Sequence, residues 1–263
     1  MQGASSFWES LVIQWRVVRA LLMREIITRY GRHNIGFFWL FVEPTIFCCG
    51  VMEIRVLFHE SVKGGLPMAA FAITGYSTVL LWRNCGNHCS GSITPNLSLL
   101  YHHNVRVIDV LASRIILELA GCAMSFMMLM IVFGATGIIK PPEDWILLMA
   151  GYLLMAWFAG ALAIWVCAMT ELSEVFERIW HPITYFMLPI SGLAFMVDWL
   201  PQKYQKLAMA VPMVNGVEMI RDGYFGKVVR CHYSALYLVC WSLGLTLTGL
   251  TLLKIFARTV EPQ

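Results

Sequence analysis

Residues 22–46 read LMREIITRYGRHNIGFFWLFVEPTI, and the placement of charge in this stretch decides the class of fold. Arg16, Arg19, Arg24, Arg29 and Arg32 crowd one short segment ahead of an apolar run that opens at Ile35. A basic flank against a long apolar run marks the cytoplasmic edge of a membrane span. Glu43 and Pro44 stand inside that run, with Glu43 about 12 Å beyond Ile35 at roughly 1.5 Å per helical residue. Hydrocarbon solvates neither a carboxylate nor a backbone carbonyl left open by proline, so both residues call for a partner at membrane depth.

The composition extends this reading to the whole chain. Hydrophobic residues fill 59% of the 263 positions and charged residues 13%, against about 45–50% and about 25% in soluble domains. An all-α integral membrane protein is expected, as one unit. The net charge of +3 is too small to argue for nucleic acid, and basic residues at membrane edges meet lipid headgroups. The opening residues MQGASSFWES lack a basic segment followed by an apolar core and a small-residue cleavage site, so the first span is expected to act as its own signal. Most of the eight cysteines lie within or beside apolar runs, where a thiol behaves as a small hydrophobe.

Residues 7–30 are expected to form an amphipathic helix lying along the inner membrane surface. Trp8, Leu11, Trp15, Val18, Leu22 and Ile26 recur at spacings of three and four, the period of one helical face. Residues 1–34 make up this interface segment, and 35–263 a domain of six transmembrane helices at about 35–58, 66–82, 110–139, 145–169, 179–197 and 234–253, each near the ~20 apolar residues a bilayer requires. Lys and Arg concentrate in alternate connections, with Arg83 and Arg106, Arg178, and Lys254 and Arg258 on the side of the N-terminal cluster. That bias places both termini in the cytoplasm; segment 198–233, with Lys203, Lys206, Arg221, Lys227 and Arg230, is the exception, and long segments follow the charge rule poorly.

Segment 198–233 is too long for a simple connector and falls outside by parity. It holds two helix-like arms broken at Val211-Pro212. A re-entrant helical hairpin before the last span fits this pattern, since proline ends one arm and opens the next; a pair of surface helices is the alternative. Pro212, Glu218 and Arg221 are its marked residues. In the second inner segment, His102 and His103 precede Arg106 and Asp109, while Arg114 and Glu118 are one helical turn apart and share a face. An inner-edge ion pair is expected from the last two.

Missing motifs restrict the chemistry. No GxxxxGK[ST] loop occurs, so a P-loop nucleotide site is not expected on this chain. HExxH and CxxC are also missing from the sequence. No catalytic residue, cofactor or metal site is expected here.

The stretch LMREIITRYGRHNIGFFWLFVEP resembles the opening signature of type-2 ABC exporter permeases, closest to the inner-membrane permease of Gram-negative capsular polysaccharide exporters. Arg24, Glu25, Thr28, Arg29, Tyr30, Gly31, Gly36, Trp39, Glu43 and Pro44 all fit the pattern LxxREIxTRYGxxxxGxxWxxxEP. LLYHHNVRVIDVLASRIILELA is similar to the family's second cytoplasmic segment, and LPQKYQKLAMAVPMVNGVEMIRDGYF to its paired short helices before the last span. Many relatives carry Asn-Pro where this chain has Val211-Pro212, so no role is carried over for that asparagine.

The resemblance implies a half-transporter in the bacterial inner membrane. A second copy of the chain and two ABC nucleotide-binding subunits would complete the working unit, with ATP and Mg bound on those partners. A periplasmic co-polymerase-type adaptor and an outer-membrane channel would extend the path of a lipid-linked polysaccharide. Arg24, Glu25, Arg29, His102, His103, Arg106 and Asp109 would then form the ATPase-coupling interface. An O-antigen or teichoic-acid permease is the near alternative, and a membrane-embedded glycolipid-modifying transferase the distant one.

Overall fold

The computed structural model describes residues 7–30, 66–97 and 105–260, together with single positions and pairs between 38 and 53. Most of these residues are helical, with no strand among them. Helix α1 spans Phe7–Tyr30 and α2 Met68–Cys89. A 3-10 turn at Thr94–Asn96 leads toward α3, Val107–Ala135. Helices α4, Trp145–Leu172, and α5, Glu174–Ile190, follow in close succession. A second 3-10 turn at Val197–Trp199 precedes α6, Gln202–Met209, and α7, Pro212–Phe225. After a third at Gly226–Val228 comes α8, Ala235–Val260.

Local chemistry explains where these helices begin. The Asp144 carboxylate accepts from the amides of Ile146 and Leu147 at 2.9 and 3.0 Å, capping α4. The Asp109 carboxylate reaches back to the amide of Arg106 at 3.0 Å and closes the first turn of α3. Ser173 caps α5 by accepting from Phe176, and Glu174 and Glu177 lie in that first turn, where the helix dipole favours anions. Pro212 opens α7 at its first position, where its missing N–H costs nothing.

Helix α4 is the hub, packed against α2, α7 and α8. Trp82, Leu148, Met155, Phe158, Ile220 and Leu238 are enclosed where these helices meet. Helix α7 lies directly on α4 because Gly223 has no side chain; a Cβ there would collide with the backbone of Leu148. The amides of Glu143 and Asp144 donate to the carbonyls of Tyr224 and Gly223 at 3.2 and 2.9 Å. The Tyr224 hydroxyl donates to the Lys140 carbonyl at 2.6 Å. The connection between α3 and α4 is thereby fastened to the end of α7.

Among the described residues α3, α4 and α8 are long and apolar enough to cross a membrane. The expected first span, 35–58, falls largely outside the described residues. The fifth is displaced: α5 begins at Glu174 rather than near 179 and ends at Ile190, because the polar cap sequence Ser173–Glu177 belongs to the helix although hydropathy excludes it. Helix α2 runs on to Cys89, past Arg83.

Helix α1 leaves much of its apolar surface exposed. Val18 from the stripe is buried, but Trp8 and Trp15 are 73% and 66% exposed. Val12, Met23 and Ile27, off the stripe, are exposed as well. The face packed toward α3 passes through Gln14, Val18 and Glu25, mixing apolar with polar residues.

Candidate functional site

Two polar clusters form at opposite ends of the helices. At the α1 end, four segments are joined by side chains. Arg24 of α1 donates to Asn96 Oδ1 in the 3-10 turn and stands 4.0 Å from Glu25. Glu25 Oε1 lies 3.0 Å from Arg114 Nε of α3. Arg114 also donates to the His88 carbonyl of α2 at 3.0 Å. One turn further along α3, the enclosed Glu118 meets His88 Nδ1 at 3.1 Å. Gln14 Nε2 of α1 donates to Asp109 Oδ1 at 2.8 Å.

Glu171, near the end of α4, completes this frame. Its carboxylate accepts from the amides of Ile93 and Thr94 at 2.6 and 3.2 Å and from the Thr94 hydroxyl at 2.5 Å. The turn leading out of α2 is therefore held by α1 on one side and by α4 on the other.

Several expected residues take up different company. Spacing pairs Arg114 with Glu118; the structure gives Arg114 the Glu25 carboxylate and Glu118 the His88 ring, because both partner helices approach that face. Arg24, Glu25, Arg106 and Asp109 do gather at this end. The side chains of Arg29 and Tyr30, with His102, His103, Gly31, Gly36, Glu43 and Pro44, lie outside the described residues. Trp39 is exposed.

The α7 end is built around a buried charge. Arg221 has no exposed surface. Its Nη1 donates to the carbonyls of Gly192 and Phe195 at 2.8 and 2.6 Å, and its Nη2 to Leu193 at 2.9 Å. Its guanidinium lies 3.9 Å from the centre of the Phe71 ring, a desolvated cation–π contact. Phe71 in turn stacks on Trp199 with ring centres 5.2 Å apart. Gly75 makes room: a Cβ there would stand 2.7 Å from Arg221 Nη2 and 2.9 Å from the Leu193 carbonyl.

Glu218, one turn before Arg221, is 1% exposed. Its two oxygens accept from the amides of Val197 at 3.1 Å and His232 at 3.0 Å. Burial, opposed by these hydrogen bonds and by Arg221, pushes its carboxyl above the ordinary carboxylate range. Asn215 donates to the Met209 carbonyl and accepts from the amide of Ser234, bracing the break between α6 and α7. Helix α6 itself buries no side chain.

No family model matches this chain. Curated relatives match it almost end to end. The capsule polysaccharide export inner-membrane protein CtrC of Neisseria meningitidis serogroup B is 46% identical, over 98% of each chain. BexB of Haemophilus influenzae, described in the same words, is 44% identical over the same shares. The polysialic acid transport protein KpsM of Escherichia coli is 27% identical, over 89% of this chain and 93% of its own.

The chain belongs to the capsule polysaccharide export inner-membrane protein family. This agrees with the resemblance carried by residues 22–46 and with a type-2 ABC permease. Within this family member, sequence reasoning missed His88, Asn96 and Glu171 at the α1 end and Phe71 and Trp199 at the α7 end. Asn96 and Glu171 sit beside helix-start signals, Thr94-Pro95 and Ser173, that mark them as turn residues. Phe71 and Trp199 carry no local signal, because they meet only across the fold.

Proposed function

We propose that this chain is the permease subunit of an ATP-driven exporter that moves lipid-linked capsular polysaccharide across the bacterial inner membrane. The observation that carries this reading is identity of 46% and 44% across 98% of chains named for capsule polysaccharide export at the inner membrane. The relatives' names favour capsule over O-antigen or teichoic acid as cargo.

Without a P-loop of its own, the chain takes its drive from two ABC nucleotide-binding subunits that carry ATP and Mg. Six spans, both termini in the cytoplasm and a second copy across the pathway complete the arrangement. Two-fold pairing is the commonest closed assembly, and one bundle of this size is small for a hydrated polymer channel. A periplasmic adaptor and an outer-membrane channel extend the route.

In this reading the α1 end faces the ATPase. Force applied to α1 or to the segment ahead of α3 passes through Arg24–Asn96, Glu25–Arg114 and Gln14–Asp109 into α3. Glu171 hands the movement of the 93–94 turn to α4. Interlocked side chains on rigid helices transmit displacement where loops would absorb it. At the other end, the α6–α7 pair dips into the outer leaflet and shapes the exit.

Deletion of the gene should abolish surface capsule while polymer accumulates inside the cell. The purified chain should retain an ABC ATPase, two copies of each per complex. Intact capsule without this chain, or a chain that never associates with an ATPase, overturns the proposal.

A further inference from the structure

A cavity of about 270 Å³ opens beside the buried latch at the α7 end, lined by Met196, Asp198, Trp199, Lys227, Val229 and Arg230. Its two walls, 196–199 and 227–230, are distant in sequence. Glu218 ties them together, since one oxygen holds the amide of Val197 and the other the amide of His232. Asp198 adds a second tie across the rim, 3.4 Å from His232 Nε2. Trp199 is held on one face by Phe71, which is backed by the fixed guanidinium of Arg221. The cavity is thus pre-shaped by α7 and does not depend on a ligand to assemble it.

Its chemistry is selective. Lys227 and Arg230 are exposed at the mouth and have no ion-pair partner among the described residues. The Asp198 carboxylate already faces His232, so positive charge dominates. An indole fixed at the edge of a polar cavity offers the apolar face that a sugar ring stacks on. Pockets for whole ligands run from roughly 300 to 1,000 Å³, and this one lies just below that range, so it holds one unit of a chain rather than an isolated large ligand.

We propose that this cavity is a subsite for one acidic sugar unit of the emerging glycan. Trp199 stacks on the ring, Lys227 and Arg230 meet its carboxylate, and Asp198 accepts from a hydroxyl. This rests on the reading of the chain as a glycan exporter with the α7 end outward.

The test uses the full chain in lipid nanodiscs, with tetragalacturonate as acidic probe and maltotetraose as neutral control, followed by saturation-transfer NMR and calorimetry. Tetragalacturonate should bind at least tenfold more tightly than maltotetraose. Trp199→Ala should weaken it tenfold or more, while Trp199→Phe retains most binding and shows that stacking, not folding, was lost. Lys227→Gln and Arg230→Gln should each weaken it about fivefold and flatten its dependence on salt. Lys203→Gln, on exposed α6, should leave it unchanged.

Equal binding of the two tetrasaccharides overturns the proposal, as does indifference to Trp199→Ala and Lys227→Gln. So does loss of surface capsule in variants that still bind tetragalacturonate normally, which would assign the surface to a protein partner. Gene deletion separates the two readings. Capsule that survives deletion sinks the exporter, whereas capsule lost on deletion without tetragalacturonate binding sinks the subsite alone.

Discussion

At the α1 end, charged groups meet between helices with part of their surface in solvent: the Glu25 and Arg114 side chains are 18% and 20% exposed. At the α7 end, Glu218 and Arg221 are enclosed and bond to backbone amides and carbonyls. Pairs that keep some contact with solvent part at lower cost than fully enclosed ones. A buried charge satisfied by several fixed dipoles resists removal, because whatever it leaves behind stays unpaired. The first arrangement suits a surface that engages and releases a partner during a cycle. The second suits a part that keeps its shape while the rest moves.

Removing the buried cation should give the largest effect. Arg221→Ala leaves three carbonyls unsatisfied and Glu218 without its neighbour, and should destabilise the chain by about 3–5 kcal/mol, read as a lower melting temperature in detergent and lower membrane abundance. Arg221→Lys should rescue little, since an ammonium cannot reproduce the planar fork that spans Gly192, Leu193 and Phe195. If Arg221→Ala melts like wild type, the contrast between the two ends collapses.

Glu218→Gln should cost about 1–3 kcal/mol, because the amide turns a donor toward one of two backbone N–H groups. It also carries a pH signature. The free carboxyl titrates near 4.5 and burial raises the folded one, so the folded state holds this proton more tightly. The stability this contributes is complete below pH 4.5 and is lost as pH rises through the folded value. Over that window the melting temperature of the wild type should fall relative to Glu218→Gln. Parallel melting curves would remove Glu218 as the titrating group.

Charge reversal at the α1 end should cost less stability than loss of Arg221 and should matter for function. Glu25→Arg and Arg114→Glu each set like charges side by side in a partly enclosed site, and should each cost about 1–3 kcal/mol as well as uncouple ATP hydrolysis from export in reconstituted complexes. Exchanging both charges should restore coupling in part. Normal export from both single variants would show that Glu25–Arg114 carries no force. The smallest structural effect, under about 0.5 kcal/mol, is expected from the exposed labels Lys203→Cys and Arg258→Cys in a cysteine-free background. An impermeant reagent should reach the first from outside and not the second; the reverse pattern inverts the assignment of the two ends.

Much of this molecule is legible from residues in order. Composition places it in a bilayer, since a chain this apolar and this poor in charge cannot cover a soluble core. The run Arg24–Pro44 points to its family, and the end-to-end relatives agree. Val211-Pro212 marks the break between α6 and α7, because proline limits a helix by a local steric rule. Hydropathy places the start of α5 too late, since it weighs a capping serine and two glutamates as loop although Ser173 signals the helix start.

Partner choice is what only the tertiary structure decided. Helical spacing states that Arg114 and Glu118 share a face, and that Glu218 and Arg221 do. It cannot state which other helix comes to that face. Glu25 and His88 reach the first pair because α1 and α2 pack there. The carbonyls of Gly192, Leu193 and Phe195 reach Arg221 because the chain after α5 turns back over α7. An ion pair is a short-range contact whose strength depends on distance and burial, and both are properties of the packed helices rather than of any one stretch of sequence.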